Sequence, residues 1–211
     1  MKEAIRQAIA AGVSVGQLSD AMDELGLPQN AGGGYRLLGG RGGTVFGRAF
    51  TLKQELVTLG EASVTRQGEA ALSLASAGDI LVIDAGGNPG VATWGEGHSL
   101  RAQINGLNGV VLHGATRDAR TLEGGPLPIL CRSTTPVRSK GRFRTASVGE
   151  PVNLADVKVA TGDLLAIDMD GIVCLPWELA REVLTKALKI LKLENKRDIN
   201  LREQATRRPY D

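Results

Sequence analysis

Histidine, cysteine and aromatic residues are scarce in this chain of 211 residues, which has two histidines, two cysteines and 3% aromatic residues. The histidines and cysteines do not have the spacing of a zinc site, which excludes zinc-binding modules. A phosphate-binding loop of the form GxxxxGK[ST] is also missing. A Ser-His-Asp triad could use only His98 or His113, and we expect both to pack in or beside a pocket wall instead.

Long apolar runs are missing as well. A membrane-spanning helix needs about 18 or more consecutive apolar residues, and the sequence has no such stretch. Charges are scattered through residues 1–22, which is typical of a helix rather than a signal peptide. These features predict a cytoplasmic protein in which Cys131 and Cys174, each inside an apolar run, are buried free thiols. The net charge of +2 demands neither a membrane nor a nucleic acid as partner.

The alternation of apolar runs and helical patterns predicts one α/β domain over residues 1–211. We expect an N-terminal helix over 1–13 and a long C-terminal helix over 176–205. Short apolar runs predict buried strands, among them 79–84 and 109–114. The segment SAGDILVIDAGG (76–87) is similar to ATGDLLAIDMDG (160–171), which hints at a closed or pseudo-symmetric sheet.

Two segments carry the chemistry that the sequence suggests. WGEGHSL (94–100) places Glu96 at a helix start, and Gly95 and Gly97 leave room for a ligand beside the backbone N–H groups of Gly97, His98 and Ser99. HGATRDAR (113–120) places Arg117 and Asp118 after a buried strand, where α/β proteins tend to bind ligands.

These parts could hold a small keto acid and a hard cation. Arg117 would grip a carboxylate or carbonyl oxygen, and Asp118 with Glu96 would hold Mg²⁺ through oxygen and water. The alternative is a surface Arg-Asp pair beside a helix that Glu96 caps. Two other possibilities have weaker support. The segment VIDAGGNPG (82–90) is superficially similar to the loop of a methyltransferase, but its glycines do not have the spacing of that loop. The basic stretch 132–144 could bind RNA.

GEGHSLRAQINGLNGVVLHGATRD resembles the signature of the family that joins 4-hydroxy-4-methyl-2-oxoglutarate aldolases with RraA, the regulator of ribonuclease activity A. The aldolase members carry an acid, twenty intervening residues and then Arg-Asp, a spacing that Glu96, Arg117 and Asp118 satisfy. LSDAMDELG, GRAFTLK, GDILVIDAGG and ATGDLLAIDMDGIVCLP resemble other family segments in the same order, so the resemblance covers about 14–205.

The resemblance implies a compact swivelling β/β/α-type domain, assembled as a homotrimer or hexamer with sites between subunits. It implies Mg²⁺ or Mn²⁺ bound directly by Asp118 and through water by Glu96. Arg117 would bind substrate and stabilise the pyruvate enolate. A further acid would come from the C-terminal helix of a neighbouring subunit, and Glu194 is the best match. Glu96 is Asp in some aldolase members, so its longer side chain could alter the water network.

The expected activity is a metal-dependent retro-aldol cleavage of 4-hydroxy-4-methyl-2-oxoglutarate-type keto acids to pyruvate. Oxaloacetate decarboxylation should accompany it, because it passes through the same enolate. The alternative is a non-catalytic regulator of the RraA type that binds an RNA-processing ribonuclease.

Overall fold

The computed structural model describes residues 1–40, 42–58 and 61–206. The helices in these ranges are α1 (Lys2–Ala11), α2 (Val15–Glu24), α3 (Gln67–Glu69, continued by a π-helical turn over Ala70–Leu74), α4 (Glu96–Asn105), α5 (Ala119–Glu123) and α6 (Ala180–Thr206). None of the helices described there has an apolar stretch that could cross a membrane. The predicted α/β class with a long C-terminal helix is confirmed.

Ten strands form one sheet and two form a separate hairpin in the described chain. They are β1 (Ala31–Gly32), β2 (Arg36–Leu38), β3 (Val45–Leu56), β4 (Ile80–Asp84), β5 (Ala92–Trp94), β6 (Gly109–Thr116), β7 (Ile129–Thr134), β8 (Phe143–Val148), β9 (Val152–Leu154), β10 (Val157–Val159), β11 (Leu164–Ile167) and β12 (Ile172–Leu175). The main order is β1-β12-β11-β3-β4-β6-β7-β2, with β5 paired to β6 and β8 paired to β3. Strands β3, β4, β6 and β7 are parallel, and β11 and β12 are antiparallel additions.

Alternating side chains of the strands enter different cores, because successive residues of a strand point to opposite faces. In β4, Leu81 and Ile83 pack under α3 and α4, whereas Ile80 and Val82 enter a core that the β9–β10 hairpin covers. In β11, Leu165 and Ile167 share this second core. The other face of β11 packs against α1, α2 and α6. The two halves of the sheet thus curl around one central core, and each half has its own helices outside.

The two similar segments of the sequence occupy equivalent places on either side of β3. Strand β4 pairs with β3 in parallel and β11 pairs with it antiparallel. Before each strand, an Asp side chain accepts a backbone hydrogen bond from three residues earlier, Asp79 from Ser76 at 2.8 Å and Asp163 from Ala160 at 2.9 Å. Both turns contain a glycine with positive φ, 88° at position 78 and 100° at position 162. The similarity therefore reflects one strand-entry turn that the chain uses twice.

Several elements differ from the sequence-based expectation. The segment EASVTRQGEAALSLASA (61–77) predicts a helix. The structure shortens it to α3, because Ser63 and Thr145 side chains hydrogen-bond backbone groups and hold 61–66 against β8. The glycine-rich segment LPQNAGGGYRLLGGRGG (27–43) predicts a loop, but strands β1 and β2 lie in it. Arg41 of this segment is outside the described residues. Helix α6 begins at Ala180, after a turn in which Pro176 accepts the first hydrogen bonds. The predicted single domain over 1–211 stays a prediction, and its residues 207–211 also lie outside the described residues.

The start of α2 is fixed by its own side chains. Ser14 and Gln17 form a reciprocal capping box, as their spacing suggests. The letters Gly-Val-Ser-Val-Gly at 12–16 match those of a hydrolase nucleophile motif, but Ser14 caps a helix and does not follow a strand. Gln17 also donates a hydrogen bond to Glu194 of α6 at 2.8 Å. The middle of α6 is thereby held against α2 of its own chain.

Both cysteines lie in buried strands, as the sequence predicts. Cys131 is in β7 and Cys174 is in β12, and both are free. Burial raises the pKa of the Cys131 thiol to about 11 and also raises the pKa of Cys174. The two thiols therefore stay protonated and serve as small apolar core residues.

Candidate active site

The two segments singled out in the sequence meet at the ends of neighbouring parallel strands. Trp94, the last residue of β5, pairs with Thr116, the last residue of β6. The backbone N–H of Arg117 donates to the Trp94 carbonyl at 3.1 Å, which joins the two chain segments directly after the strands. This contact brings Gly95 and Glu96 beside Arg117 and Asp118. Both segments therefore lie at the carboxyl ends of parallel strands, as the sequence predicts.

Asp118 is the centre of the hydrogen bonding at this junction. Its Oδ2 accepts a hydrogen bond from the Glu96 backbone N–H at 3.1 Å and lies 3.5 Å from Nε of Arg117. Its backbone is left-handed, with φ of 59°, a conformation that Asp and Asn adopt more readily than most residues. A Cβ atom at position 95 would lie 2.6 Å from Asp118 Oδ2, so only glycine fits there. Gly95 thus makes room for the Asp118 carboxylate.

A cleft of about 340 Å³ opens beside this junction. Four of the five residues predicted to bind substrate line it: Gly95, Gly97, His98 and Arg117. Arg117 also borders a second hollow of about 350 Å³, which it shares with Asp118. The two hollows meet at the Arg117 side chain, which is about half exposed. A ligand in either hollow can therefore contact the guanidinium group.

Ser99 is the exception among the predicted substrate-binding residues. Its side chain is buried, and its hydroxyl accepts a hydrogen bond from the Trp94 indole N–H at 2.8 Å. The backbone N–H groups of His98 and Ser99 both donate to the Gly95 carbonyl at 3.1 Å. The third predicted donor, the Gly97 N–H, has no hydrogen-bond partner within the described ranges. Ser99 therefore stabilises the start of α4, and the helix start offers fewer donors than its sequence suggests.

His98 forms one wall of the cleft, as the sequence predicts. Its ring packs against Trp94 with the ring centroids 5.3 Å apart. Burial lowers the pKa of His98 to about 4, and the nearby positive charges of Arg101 and Arg117 lower it further. His98 is therefore neutral at pH 7 and adds no charge to the cleft.

The lowered pKa of His98 predicts a pH-dependent stability. The ordinary pKa of histidine is 6.5, so between pH 6.5 and about 4 the unfolded chain binds a proton that folded His98 does not. The free energy of unfolding should therefore fall as the pH drops through this window. Urea unfolding at pH 7.5, 6 and 5 should show a shallower fall for His98→Gln than for the unchanged protein. A His113→Gln variant is the control that retains the His98 contribution, and equal slopes in all three proteins would contradict the assignment.

His113 lies away from the cleft and packs in a polar cluster. Its Nδ1 is 3.0 Å from the Tyr35 hydroxyl, and it pairs with Asp84 of β4 across the sheet. Burial lowers the pKa of His113 and raises that of Tyr35 to about 12. Both groups are therefore neutral at pH 7, which agrees with the predicted packing role.

The sequence did not identify the other cations of the cleft. Arg101 of α4 lines it, and Arg138 and Lys140 reach it from the loop between β7 and β8. Arg138 and Lys140 belong to the basic stretch 132–144, whose sequence indicates RNA binding instead. The backbone explains their position, because Ala92 N–H donates to the Val137 carbonyl at 2.7 Å and draws this loop to β5.

The carboxylates of Glu96 and Asp118 are the groups here that could hold a divalent metal. Both side chains are exposed, and carboxylate oxygen is the donor type that Mg²⁺ and Mn²⁺ prefer. In the part of the chain that the structure describes, no three His, Cys, Asp or Glu side chains cluster in a way that could hold a metal. The two acids therefore fit a cation that keeps several waters or takes a ligand from elsewhere.

Glu194 lies on α6, among groups of its own chain. Its Oε2 accepts from Gln17, and its Oε1 is 3.8 Å from Arg197. It borders a third hollow, between α2 and α6, rather than the Arg117 cleft. Its predicted role toward a neighbouring subunit stays a prediction.

Comparison with known sequences identifies relatives along much of the chain. The family model for Aldolase/RraA, described as RraA-like, matches residues 15–174. A 4-hydroxy-4-methyl-2-oxoglutarate aldolase of Thermus thermophilus is 35% identical over 100 residues, which are 47% of this chain and 60% of that protein. A protein of Halalkalibacterium halodurans, whose name gives the same activity provisionally, is 36% identical over 115 residues, 54% of either chain. The matched region thus spans about half to three fifths of these relatives.

Comparison with solved structures gives the same family. RraAS2 of Streptomyces coelicolor, described as an unusual member of the RNase ES inhibitor RraA family, superposes with a TM-score of 0.79 at 27% identity and covers 93% of this chain and 96% of its own. The RNA-processing inhibitor RraA of Thermus thermophilus has a TM-score of 0.63 at 29% identity and covers 75% of this chain and 92% of its own. The match of the family model to residues 15–174, together with this fold, shows that the chain belongs to the Aldolase/RraA family.

Proposed function

We propose that the protein is a divalent-metal-dependent aldolase that cleaves 4-hydroxy-4-methyl-2-oxoglutarate-type keto acids to pyruvate. Oxaloacetate decarboxylation would be a second activity, since it forms the same pyruvate enolate. The observation that carries the proposal is the junction of Arg117, Asp118 and the Glu96 backbone at the mouth of a cleft. The name of the Thermus relative supports an aldolase. The region that matches this chain covers 60% of that relative.

Arg117 is the group that would bind the pyruvyl part of the substrate. Its planar guanidinium can donate two parallel hydrogen bonds to a carboxylate and the adjacent keto oxygen. Asp118, 3.5 Å from Arg117 Nε, orients this group from the other side. When the C3–C4 bond breaks, negative charge grows on the keto oxygen, where Arg117 already presents positive charge.

Asp118 and Glu96 are the residues that would hold Mg²⁺ or Mn²⁺. A bound divalent cation supplies a Lewis acid for the keto oxygen. In the cleavage, the 4-hydroxyl group loses its proton as C4 becomes a carbonyl, and C3 of the enolate takes up a proton. The backbone N–H of Glu96 donates to one oxygen of Asp118 and would orient this carboxylate toward the metal, while the Glu96 carboxylate remains exposed.

A homotrimer or hexamer would complete the site. The exposed second half of α6, which includes Leu193, Ile199 and Leu201, would pack on a neighbouring subunit. Glu194 of that helix would then supply a further acid through water. The support is that two carboxylates alone leave a metal site short of protein ligands.

A non-catalytic regulator that binds a ribonuclease is the second candidate. It is supported by the descriptions of the two RraA structures that superpose on this chain. The polar junction of Arg117 and Asp118 favours the enzyme, because a binding surface does not need a half-exposed cation and carboxylate at the mouth of a cleft.

The deciding experiment is an assay of pyruvate release. The purified protein is given 4-hydroxy-4-methyl-2-oxoglutarate or oxaloacetate, each with Mg²⁺, with Mn²⁺ and with EDTA. We expect release from both substrates that EDTA stops and added metal restores. Release that continues undiminished in EDTA would remove the metal from the proposal. No release by folded, metal-supplied protein would favour the regulator.

A further inference from the structure

The cleft has more positive charge than a pyruvyl group requires. Arg101, Arg117, Arg138 and Lys140 line it, whereas no Asp or Glu of the described ranges does. Arg117 is 3.5 Å from Asp118, but none of the other three has a carboxylate within 4.0 Å among the residues described. Since a cleft with three uncompensated cations concentrates anions, its ligand should carry a further negative group beyond the pyruvyl part.

The loop with Arg138 and Lys140 is held in place at both ends. At one end, Ala92 bonds the Val137 carbonyl and forms a β-bridge with Arg138. At the other end, the Gly141 N–H donates to the Ser63 hydroxyl at 2.9 Å. Arg101 is held by a hydrogen bond of 2.8 Å to the Gly97 carbonyl. The Arg101 side chain and the backbone of the loop that carries Arg138 and Lys140 are therefore held in place before any ligand binds, which lowers the entropy cost of binding.

A buried hydroxyl group in the cleft wall is a second, independent indication of a ligand. Thr93 is 1% exposed, and its Oγ1 has no hydrogen-bond partner among the described residues. Gln67, equally buried, lines the cleft beside it and donates to the Thr93 carbonyl at 3.1 Å. A buried hydroxyl without a partner is costly, so a hydroxylated ligand that bonds it would be favoured.

We propose that the cleft binds the phosphate ester at the far end of a hydroxylated 4-hydroxy-2-keto acid. This inference rests on the proposed aldolase function and names its substrate class. Arg117 holds the pyruvyl end, and Arg101, Arg138 and Lys140 hold the phosphate. A phosphate fits better than a single carboxylate, because it carries up to two negative charges and three oxygens for three cations. The C3–C4 bond breaks as in any retro-aldol cleavage, C4 becomes an aldehyde and C3 takes up the proton, so the phosphate ester stays intact.

The kinetic test compares substrates that differ only in the phosphate. Pyruvate release is measured with Mg²⁺ from 2-keto-3-deoxy-6-phosphogluconate, from 2-keto-3-deoxygluconate and from 4-hydroxy-4-methyl-2-oxoglutarate. We expect kcat/KM for the phosphorylated acid to exceed that for its unphosphorylated form by about 100-fold or more, as for two lost charge-assisted hydrogen bonds. A preference for the dicarboxylate over the phosphorylated acid would overturn the phosphate assignment.

Variants of the loop connect this preference to the cations. Arg138→Gln and Lys140→Gln should each lower kcat/KM for the phosphorylated acid about 10-fold and leave the unphosphorylated acid within about twofold. Arg144→Gln is the matched control, because Arg144 is an exposed cation of β8 that does not line the cleft. Equal losses on both substrates would contradict a phosphate contact.

A binding measurement separates this inference from the aldolase proposal. Isothermal titration calorimetry with glycerol 3-phosphate and with glycerol needs no turnover. Binding of glycerol 3-phosphate but not of glycerol, with a weaker affinity in Arg138→Gln and Lys140→Gln, supports the phosphate site even if no keto acid is cleaved. Pyruvate release without phosphate preference and without glycerol 3-phosphate binding would overturn the inference and leave the aldolase intact.

Discussion

Asp118→Asn should reduce metal-dependent pyruvate release to the level seen in EDTA, a loss of about 100-fold or more. An amide oxygen is a much weaker ligand for Mg²⁺ than a carboxylate, and the substitution also removes the negative charge beside Nε of Arg117. The protein should stay folded, because Asn tolerates the left-handed backbone at this position and its oxygen can still accept from the Glu96 N–H. The measurements are kcat for pyruvate release and the affinity for Mn²⁺ by titration calorimetry.

Asp156→Asn is the control for this change. Asp156 lies in the exposed turn between β9 and β10, so the same loss of charge there should leave kcat and Mn²⁺ affinity unchanged. Folded Asp118→Asn with full activity and normal Mn²⁺ binding would place the metal elsewhere.

Arg117→Lys should lose most of the activity, with kcat/KM about 100-fold lower. Lysine keeps the charge but replaces the planar fork by a single ammonium group, which cannot donate two parallel hydrogen bonds to the substrate. The backbone contact of residue 117 to the Trp94 carbonyl does not involve the side chain, so the strand ends stay joined. Steady-state kinetics on 4-hydroxy-4-methyl-2-oxoglutarate and oxaloacetate measure the effect on both reactions.

Arg120→Lys tests whether the effect belongs to position 117. Arg120 is an exposed residue of α5, three positions along the chain, and the same substitution there should leave kcat/KM within about twofold. Should Arg117→Lys retain the kcat/KM of the unchanged protein, Arg117 would lose its assigned role in binding the keto acid.

The centre of the candidate site could be predicted from the sequence because it depends on short-range patterns. Arg117 and Asp118 follow a buried strand directly, and Glu96 opens a helix, so strand and helix ends place them. The rest of the cleft could not be predicted in this way. Arg101, Arg138 and Gln67 are distant from one another in the sequence and meet around β5. Ala92 of β5 bonds the loop at 137–138, and the Thr93 carbonyl accepts a hydrogen bond from Gln67.

The fold shows the same division between local and long-range causes. The buried strands β4, β6 and β11 were predictable from apolar runs, and the α2 cap from the Ser14–Gln17 spacing. Strand β5 has three residues and takes its partners from β6 and from the loop at 137–138, so nothing in its own sequence marks it. The segment 61–66 has helical composition, but the Ser63 hydroxyl and the Arg66 backbone N–H find partners in β8 that no local pattern contains.

The pairing of β3 with both β4 and β11 has a consequence for the order in which the chain folds during synthesis. On a ribosome, β3 can meet β4, β6 and β7 once residue 134 has emerged, so the half of the sheet that carries Arg117 can assemble early. The other edge of β3 waits for β8 at 143–148 and β11 at 164–167, and the apolar faces of α1 and α2 wait for α6. Helices α1 and α2 are thus made before the strands of the sheet and are among the last elements to be buried, which leaves them long exposed to chaperones and to wrong partners.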